Sequence, residues 1–437
     1  MRRKIYNDLL MWKNKESNRK PLMVLGVRQC GKTHIINEFC ENEFKHYKKI
    51  NLFNDTAIID LYKSNLSSLE KYTRLKVLID FDFEMDNSIL FIDEIQECEE
   101  LISDLKYFCE EHNNVRIICS GSLLGVKLNR LVKSFPVGKV DRFYMYPMDF
   151  EEFLLAFNEE RLIDYIRDCF LNNRMMGVLH NKALELYKKY LITGGMPESV
   201  KNLLNCEGDL INYDTSILSS IISDYKDDMH KHVSNSSETI KIISIYDSLS
   251  SQLFNSSKKF QFSKVQKGAR ARGYMTPLMW LSYSNMIQIS NLVKLPCKPL
   301  RGYVDEENFK VFYSDVGILN RILDVSIKDI INDDLGLYKG VITENYVANQ
   351  LSCLNIPLFF WKGSRDSEVD FLISTNDGII PIEVKANNNT QSKSLNIYRD
   401  LYNPEYMIRL STKDFGFNEE SKIRSIPLYA VFLFKEL

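Results

Sequence analysis

The stretch Gly26-Val27-Arg28-Gln29-Cys30-Gly31-Lys32-Thr33 is the clearest indication of the fold of the first part of this chain. Its two glycines, lysine and threonine have the spacing of a phosphate-binding loop. The apolar residues 21–25 predict a buried strand before the loop, and residues 33–40 have a helical pattern after it. A strand, a glycine-rich loop and a helix form the setting that this motif needs. Backbone N–H groups and the positive end of the helix dipole can then hold phosphate.

Each fixed position of the loop motif has an expected chemical role. Gly26 and Gly31 permit backbone shapes that a Cβ would obstruct. Lys32 is expected to reach the β- and γ-phosphates, and the Thr33 hydroxyl to bind Mg²⁺. Residues 27–30 are expected to contribute backbone to the phosphate cradle. The motif therefore predicts that the chain binds ATP and Mg²⁺.

An acidic pair follows a second apolar segment. The run Ile89-Leu90-Phe91-Ile92 ends in Asp93-Glu94, as in a central parallel strand that is buried on both faces. Asp93 is predicted to assist Mg²⁺, and Glu94 to orient the attacking water. The alternative interpretation is an acidic cap on the next helix. The phosphate-binding loop upstream favours the catalytic role.

A third apolar segment, over residues 115–119, ends in Ser120-Gly121-Ser122. A small polar side chain at the tip of a neighbouring strand can contact the γ-phosphate or the water, and Ser120 is predicted to be that sensor. The alternative is an N-cap for a helix over residues 123–131. Ser122 can also provide that cap.

The composition restricts the class of protein. A chain of 437 residues with 45% hydrophobic residues predicts about two to four domains with well-filled cores. A net charge of −2 excludes a uniformly basic nucleic-acid binder but leaves a local basic face open. The nine cysteines form no CxxC pair, which speaks against a disulfide framework or a zinc site. No long apolar run begins the chain, and the apolar residues 426–434 are too few to span a bilayer. We therefore expect a cytoplasmic protein without membrane contact.

The middle of the chain has a sequence pattern that predicts helices. Residues 149–199 have apolar side chains at three- and four-residue spacing, which predicts a helical lid after the nucleotide core. Residues 237–295 predict helices followed by a strand, an arrangement that resembles a winged helix. Six cations lie in this module: Lys258, Lys259, Lys264, Lys267, Arg270 and Arg272. They make DNA a candidate partner. An ordinary solvated surface and a subunit interface are the alternatives.

The last part of the chain holds a second group of polar residues. Residues 361–373 predict an alternating strand, residues 376–378 a turn and residues 379–385 a partner strand. Alternation places Glu383 and Lys385 on one face of the partner strand. Asp370 can then lie beside them on the hairpin.

A helical segment over residues 341–354 can add the carboxylate of Glu344. Carboxylates such as Glu344, Asp370 and Glu383 can bind Mg²⁺ ions that assist phosphodiester cleavage, while Lys385 orients or activates water. In the alternative interpretation, the acids cap strands and Lys385 only pairs with Glu383.

The motifs together resemble a family of bacterial and archaeal AAA-type ATPases that carry a C-terminal nuclease-like domain of unknown function. The matching segments are residues 26–33, 89–96, 120–122, 146–154, 194–198, 312–317 and 339–345. The C-terminal residues resemble the pattern of the PD-(D/E)XK nuclease superfamily. One departure is Gly138-Lys139, where family members commonly have Gly-Arg. Lysine cannot replace the bidentate arginine fork in phosphoryl transfer, so the arginine finger is left open, with Arg142 as a nearby candidate.

The resemblance and the residues together predict an α/β protein in four parts. These are an AAA-type P-loop NTPase core (1–148), a helical lid (149–205), a winged-helix-like module (206–300) and a restriction-endonuclease-like α/β domain (301–437). The predicted function is a Mg²⁺-dependent ATPase coupled to a nuclease-like domain that cuts or grips DNA. The alternative is an ATP-dependent switch that scaffolds a protein partner, with a catalytically silent nuclease-like domain. A third is an ATPase that acts on other proteins. Oligomeric state is left open.

Overall fold

The computed structural model describes residues 1–15, 17–121, 136–231, 236–254, 258–363, 367–386 and 392–437. The chain divides into two compact units. The N-terminal unit contains residues 2–146 and 283–285, and the C-terminal unit contains residues 147–282 and 286–437 with Met1. Ser122 and the helix predicted over residues 123–131 lie outside the described residues.

The N-terminal unit is built on a five-stranded parallel sheet. Its strands are β1 (Leu22–Leu25), β2 (His46–Asn51), β3 (Ser88–Asp93), β4 (Ile117–Ser120) and β5 (Asp141–Tyr144). Their order in the sheet is β2-β3-β4-β1-β5. Because all the strands run in one direction, the segments that follow β1, β3 and β4 leave from the same edge of the sheet. This edge is where the predicted nucleotide-site residues begin.

Five helices accompany this sheet in the described residues of the unit. They are α1 (Ile5–Lys13), α2 (Lys32–Glu43), α3 (Thr56–Lys63), α4 (Ser68–Leu78) and α5 (Glu99–Glu111), with a 3₁₀ turn at Ile95–Glu97. One apolar cluster packs β1–β4 against α3, α4 and α5. Every residue of β1, β3 and β4 is buried, which explains why these strands read as continuous apolar runs rather than alternating ones. The predicted strands and the helix after the loop are confirmed, although β4 begins two residues later than the apolar run.

The C-terminal unit begins with helices. They are α6 (Phe150–Ala156), α7 (Glu160–Leu171), α8 (Leu179–Thr193), α9 (Pro197–Asn205), α10 (Ser216–Lys231), α11 (Ser236–Leu253) and α12 (Ala271–Tyr283). A capping box starts α6, in which Asp149 and Glu152 exchange side-chain and backbone hydrogen bonds. The helical pattern predicted over residues 149–199 is confirmed.

Two sheets follow in this unit. The first has the order β7-β6-β8-β9 and contains β6 (Ile287–Val293), β7 (Val304–Tyr313), β8 (Phe359–Lys362) and β9 (Glu368–Val369). The second has the order β10-β11-β12-β14-β13 and contains β10 (Phe371–Ser374), β11 (Ile379–Val384), β12 (Met407–Ser411), β13 (Gly416–Asn418) and β14 (Ile423–Pro427). Its β11, β12 and β14 are parallel to each other, and both edge strands are antiparallel to their neighbours.

Further helices complete the unit. They are α13 (Val316–Ile322), α14 (Ile327–Ile331), α15 (Tyr338–Cys353) and α16 (Lys393–Tyr402), with 3₁₀ segments at Phe262–Lys264, Leu300–Tyr303 and Leu428–Glu436. A second apolar cluster connects the two sheets with α16. None of the helices in the described parts of the chain is long and apolar enough to cross a bilayer.

The single strand predicted over residues 361–373 is wrong. The described residues of this segment form β8, β9 and β10, and the chain passes from the first sheet to the second at Asp370. Val369 pairs with β8, whereas Phe371 pairs with β11. Residues 369–373 are all buried, so burial does not alternate through the change of sheet. An apolar run indicates that a strand is buried but does not indicate which strand is its partner.

Candidate functional site

The phosphate-binding loop has the backbone that its glycines predict. Gly26 has a φ of 152° and Gly31 a φ of 94°, and Gln29 between them is also left-handed at 63°. A Cβ on Gly26 would lie 2.1 Å from the carbonyl oxygen of Met145. Only glycine therefore allows the loop to pass the end of β5 so closely. Gly31 is the N-cap of α2, so the loop opens onto the positive end of this helix.

Lys32 lies inside this loop. Its Nζ donates hydrogen bonds to the carbonyl oxygens of Gly26 (2.8 Å) and Val27 (2.7 Å). The residue is only 7% exposed. The ammonium group therefore lies inside the loop, where the phosphates of a nucleotide are expected to bind.

Three side chains from different elements contact Asp93, at the end of β3. Thr33 Oγ1 lies 3.3 and 3.2 Å from the two carboxylate oxygens. Ser120 Oγ donates to Asp93 Oδ1 at 2.5 Å, and Lys49 Nζ lies 3.1 Å from Oδ2. Asp93 itself is buried. The structure thus brings together Thr33, Asp93 and Ser120, which the sequence had placed far apart.

These donors fit the magnesium ion that a bound nucleoside triphosphate requires. A threonine hydroxyl and a carboxylate supply hard oxygen ligands, and Mg²⁺ usually binds one or two carboxylates together with phosphate oxygens and water. Thr33 and Asp93 already contact each other at the mouth of the loop. The loop contributes the cradle that a Cβ at Gly26 would fill.

Glu94 follows Asp93 in a left-handed backbone conformation, with a φ of 56°. Residues with a side chain seldom adopt this conformation. Its Oε2 accepts a hydrogen bond from Gln96 Nε2 at 2.6 Å. The turn and this hydrogen bond together orient the carboxylate that the sequence assigns to the attacking water.

Two residues of this unit were missed by sequence reasoning. Lys49 comes from β2, and only the strand order shows that it reaches Asp93. Arg3 donates from Nη1 to the carbonyl oxygen of Cys30 (2.8 Å) and from Nη2 to that of Tyr146 (2.7 Å). Its guanidinium group therefore ties the phosphate-binding loop to the chain that follows β5. No sequence pattern near Arg3 indicates this contact.

Lys139 occupies the position where the family commonly has arginine. Its Nζ forms an ion pair with Glu110 of α5 at 2.8 Å, and this hydrogen bond raises the pKa of Lys139. Arg142 lies in β5 with an exposed side chain. The assignment of an arginine finger stays a prediction.

The predicted C-terminal residues gather on the hairpin of β10 and β11. Phe371 pairs with Ile382, so Asp370, just before β10, comes opposite Glu383 on the partner strand. Asp370 Oδ2 accepts a hydrogen bond from the Val384 N–H at 2.8 Å. Lys385 Nζ lies 2.9 Å from Glu383 Oε1.

Glu344 of α15 joins this group through lysines. Lys310 Nζ of β7 lies 2.7 Å from Glu344 Oε1 and 4.0 Å from Asp370 Oδ1. Lys258 also pairs with Glu344 and lies 4.0 Å from Asp370 Oδ1. Burial opposes ionisation of Glu344, but the two lysines outweigh it and lower its pKa. Burial and the neighbouring Glu344 raise the pKa of Asp370.

These C-terminal residues do not fit a divalent metal. Within the ranges that the structure describes, no group of three or more His, Cys, Asp or Glu side chains is placed to hold a metal ion. Ammonium groups pair with both oxygens of Glu344, which a metal would need, and lie 4.0 Å from Asp370 Oδ1. Glu383 Oε1 pairs with Lys385, while Glu383 Oε2 is buried and has no hydrogen-bond partner among the described residues. Sequence reasoning missed Lys310, which comes from a distant strand.

The basic run of residues 258–272 separates into two groups. Lys258 turns inward to Glu344, and Lys259 Nζ donates to Asn308 Oδ1 at 2.9 Å. The remaining four cations are exposed: Lys264, Lys267, Arg270 and Arg272. They lie on the segment that leads into α12 and on its first turn.

Comparison with known families covers most of the chain in three segments. Residues 18–154 match the family of the AAA domain. Residues 184–329 match a domain of unknown function, DUF8612, and residues 339–430 match another, DUF4143. No curated protein matches the chain. The N-terminal unit is an AAA-type P-loop ATPase domain, because its sheet, its loop and this match agree. The predicted AAA-type core is thereby confirmed, and the nuclease-like domain and winged helix stay predictions.

Solved structures show weak similarity over a larger part of the chain. A Walker-type ATPase of Pyrococcus abyssi is 15% identical, covers 74% of this chain and 96% of its own, and has a TM-score of 0.44. The ORC2 protein of Aeropyrum pernix is 11% identical and covers 76% of this chain and 92% of its own, with a TM-score of 0.36. Similarity at this level adds nothing to the assignment of the AAA domain.

Proposed function

We propose that this protein is a Mg²⁺-dependent ATP hydrolase whose C-terminal unit binds DNA. The observation that carries the first part is the convergence of Thr33 and Ser120 on Asp93, beside the loop that holds Lys32. Such a cluster at the carboxyl edge of a parallel sheet is suited to a triphosphate and its metal.

The residues of the site divide the work of hydrolysis. The loop N–H groups and Lys32 bind the phosphates, and Thr33 and Asp93 would hold a magnesium ion, which would offset the charge of the β- and γ-phosphates. Ser120 orients Asp93 through its hydrogen bond to Oδ1, and through this contact it would sense the γ-phosphate. Glu94 positions the attacking water, and Gln96 fixes the direction of its carboxylate.

Exposed charge and element order support the DNA-binding part. The helices α11 and α12 precede the antiparallel β6–β7 pair, which is the order of elements in a winged helix. The four exposed cations lie at the start of α12. Contact of these side chains with phosphates would be largely independent of base sequence and sensitive to salt.

The C-terminal hairpin supports a nuclease-like domain that grips DNA. Asp370 opposite Glu383, with Lys385 two residues further, retains the arrangement of the PD-(D/E)XK pattern. Nuclease-like folds can also serve as binding modules, and the lysines at Glu344 favour binding over cutting. The second candidate, an ATP-dependent switch that scaffolds a protein partner, is favoured by this same observation.

The first experiment measures ATP turnover of the full chain with and without DNA. We expect Mg²⁺-dependent hydrolysis that DNA stimulates, and its loss in Lys32→Ala. Lys328→Met, which removes an exposed charge from α14, is the matched control and should retain activity. Equal behaviour of Lys32→Ala and the wild type, with no ATP binding in either, would remove the basis of the proposal.

The second experiment separates DNA from a protein partner. The double variant Arg270→Ala/Arg272→Ala should bind DNA more weakly, and its dependence on log[salt] should be shallower by about 1–2. Its ATP turnover without DNA should be unchanged. Absence of DNA binding in the wild type would favour the scaffold, whereas binding that this variant leaves intact would show that Arg270 and Arg272 do not contact the phosphates. Cleavage of DNA or RNA with Mg²⁺ or Mn²⁺, lost in Asp370→Ala and Lys385→Ala, would restore the predicted catalytic role.

A further inference from the structure

Lys310 is a fully buried cation in the middle of the C-terminal carboxylates. Its side chain is 0% exposed. Its Nζ lies 2.7 Å from Glu344 Oε1 and 2.6 Å from Glu368 Oε1, and Asp370 Oδ1 follows at 4.0 Å. The face of the Phe360 ring lies 4.8 Å away and provides a further favourable contact.

The Lys310 ammonium group is therefore part of the protein interior and is not solvated. Removing an ammonium group from water is costly unless carboxylates and hydrogen bonds compensate it. Two carboxylates at salt-bridge distance provide that compensation here. Lys310 pairs with Ser290 of β6, so the sheet fixes the position of its backbone beside the carboxylates.

Lys258 completes the arrangement from the solvent side. Its side chain is 33% exposed, and its ammonium group pairs with Glu344 and lies 4.0 Å from Asp370 Oδ1. Three carboxylates, those of Glu344, Glu368 and Asp370, therefore face two ammonium groups. A divalent ion bound to Glu344 and Asp370 would have to displace or approach both of these positive charges, which Coulomb repulsion opposes.

We propose that Lys310 and Lys258 take the place of divalent metal ions in this site, so that the C-terminal domain binds a phosphodiester backbone without metal-dependent cleavage. The partly exposed Lys258 and Lys385 would contact the phosphates. Their positions beside Asp370 and Glu383 place them at neighbouring points of the β10–β11 hairpin. The proposal deepens the DNA-binding function given above and rests on it for the identity of the ligand, but not for the absence of metal.

Manganese binding tests the metal part directly. The full chain carrying Thr33→Ala, which weakens the nucleotide-site metal, is titrated with Mn²⁺ without nucleotide, and free Mn²⁺ is followed by electron paramagnetic resonance. We expect the same free Mn²⁺ with and without the additional substitution Asp370→Asn or Glu383→Gln. Release of bound Mn²⁺ by either of these substitutions would overturn the proposal.

Thermal unfolding tests the role of Lys310 as an internal cation. Lys310→Met preserves the length of the side chain but leaves Glu344 and Glu368 without this partner, so Tm should fall by about 10 °C. Lys258→Met should lower Tm less, because Lys258 is partly exposed, and the exposed Lys328→Met should not change it. An unchanged Tm in Lys310→Met would contradict the proposal. The Mn²⁺ comparison uses no Lys310 variant and so stands if Lys310→Met fails to fold.

These readouts are independent of ATP turnover and of DNA binding. A chain that binds no DNA but shows the expected Mn²⁺ and Tm results would refute the DNA-binding part of the proposed function, while the inference that lysines replace the metal would stand. A chain that binds DNA but also binds Mn²⁺ through Asp370 would support DNA binding and overturn the inference about the metal.

Discussion

The carboxylate of Asp315 accepts a hydrogen bond from the backbone N–H of Gly195 at 2.6 Å, across 120 residues of sequence. Asp315 is buried, and its other oxygen accepts from the Ile318 N–H at 3.0 Å, which caps α13. A Cβ on Gly194 would lie 2.1 Å from Asp315 Oδ1. Two of the segments that carry the family resemblance, 194–198 and 312–317, therefore form one tightly packed joint. This joint connects the turn between α8 and α9 with the start of α13.

Alanine at position 195 should destabilise the C-terminal unit. The new Cβ would lie 2.0 Å from the carbonyl oxygen of Met148, and backbone cannot move aside as a flexible side chain can. We expect a loss of about 2–3 kcal/mol in the free energy of unfolding, measured by urea denaturation. Gly302→Ala is the matched control, because its Cβ would meet only Pro299 Cγ at 3.9 Å. Equal denaturation midpoints for the two variants would contradict this account of the joint.

Stability should depend on pH through Asp315. Burial raises the pKa of its carboxyl group to about 6, although the N–H groups of Gly195 and Ile318 oppose this. The folded state then keeps its proton at pH values where the unfolded chain has lost it. Stability attributable to Asp315 is therefore highest below about pH 4 and falls as the pH rises to about 6, by up to about 3 kcal/mol.

Asp315→Asn isolates this effect, because asparagine does not titrate. Between pH 4 and pH 7, the free energy of unfolding of the wild type should fall relative to that of Asp315→Asn as the pH rises. Urea denaturation at several pH values measures it. A difference that is constant with pH would show that folding leaves the pKa of Asp315 unchanged, and a change in the opposite sense would show that folding lowers this pKa.

Loss of Arg3 should weaken nucleotide binding more than it weakens the fold. Its guanidinium group holds the carbonyl oxygens of Cys30 and Tyr146, and hydrogen bonds to a charged group contribute about 1.5–3 kcal/mol. In Arg3→Met the loop should be less ordered before ATP binds, so the Kd for ATP should rise about tenfold. Fluorescent ATP titration measures this, with the exposed Arg74→Met of α4 as the control. Unchanged affinity in Arg3→Met would mean that the loop keeps its shape without this clamp.

Lys49→Met should lower the Mg²⁺ concentration that ATP turnover needs. Lys49 Nζ lies 3.1 Å from Asp93 Oδ2 and so competes with the metal for this carboxylate. The lysine side chain is 31% exposed, so the effect should be modest, about two- to fivefold in the half-saturating Mg²⁺ concentration. Lys48→Met, whose side chain lies on the opposite face of β2, is the control. A higher Mg²⁺ requirement in Lys49→Met would show instead that the lysine orients Asp93 for metal binding.

The nucleotide site could largely be predicted from the order of residues along the chain. One short motif contains Gly26, Lys32 and Thr33, so their spacing alone predicts the local backbone that binds phosphate. The buried strand before Asp93 is equally visible, because a strand covered on both faces requires a continuous apolar run. The helices α6 to α9 could likewise be predicted, from the local spacing of their apolar residues.

Tertiary structure alone decided which distant residues share a site. Lys49 reaches Asp93 because β2 lies beside β3, Arg3 reaches the loop because α1 packs against α2, and Lys310 reaches Glu344 across the fold of the C-terminal unit. For the same reason, the change of sheet at Asp370 could not be predicted from the sequence. Local pattern records burial and backbone conformation, whereas the partner of a strand or a charge depends on how distant segments pack, and that is settled only when the whole core assembles.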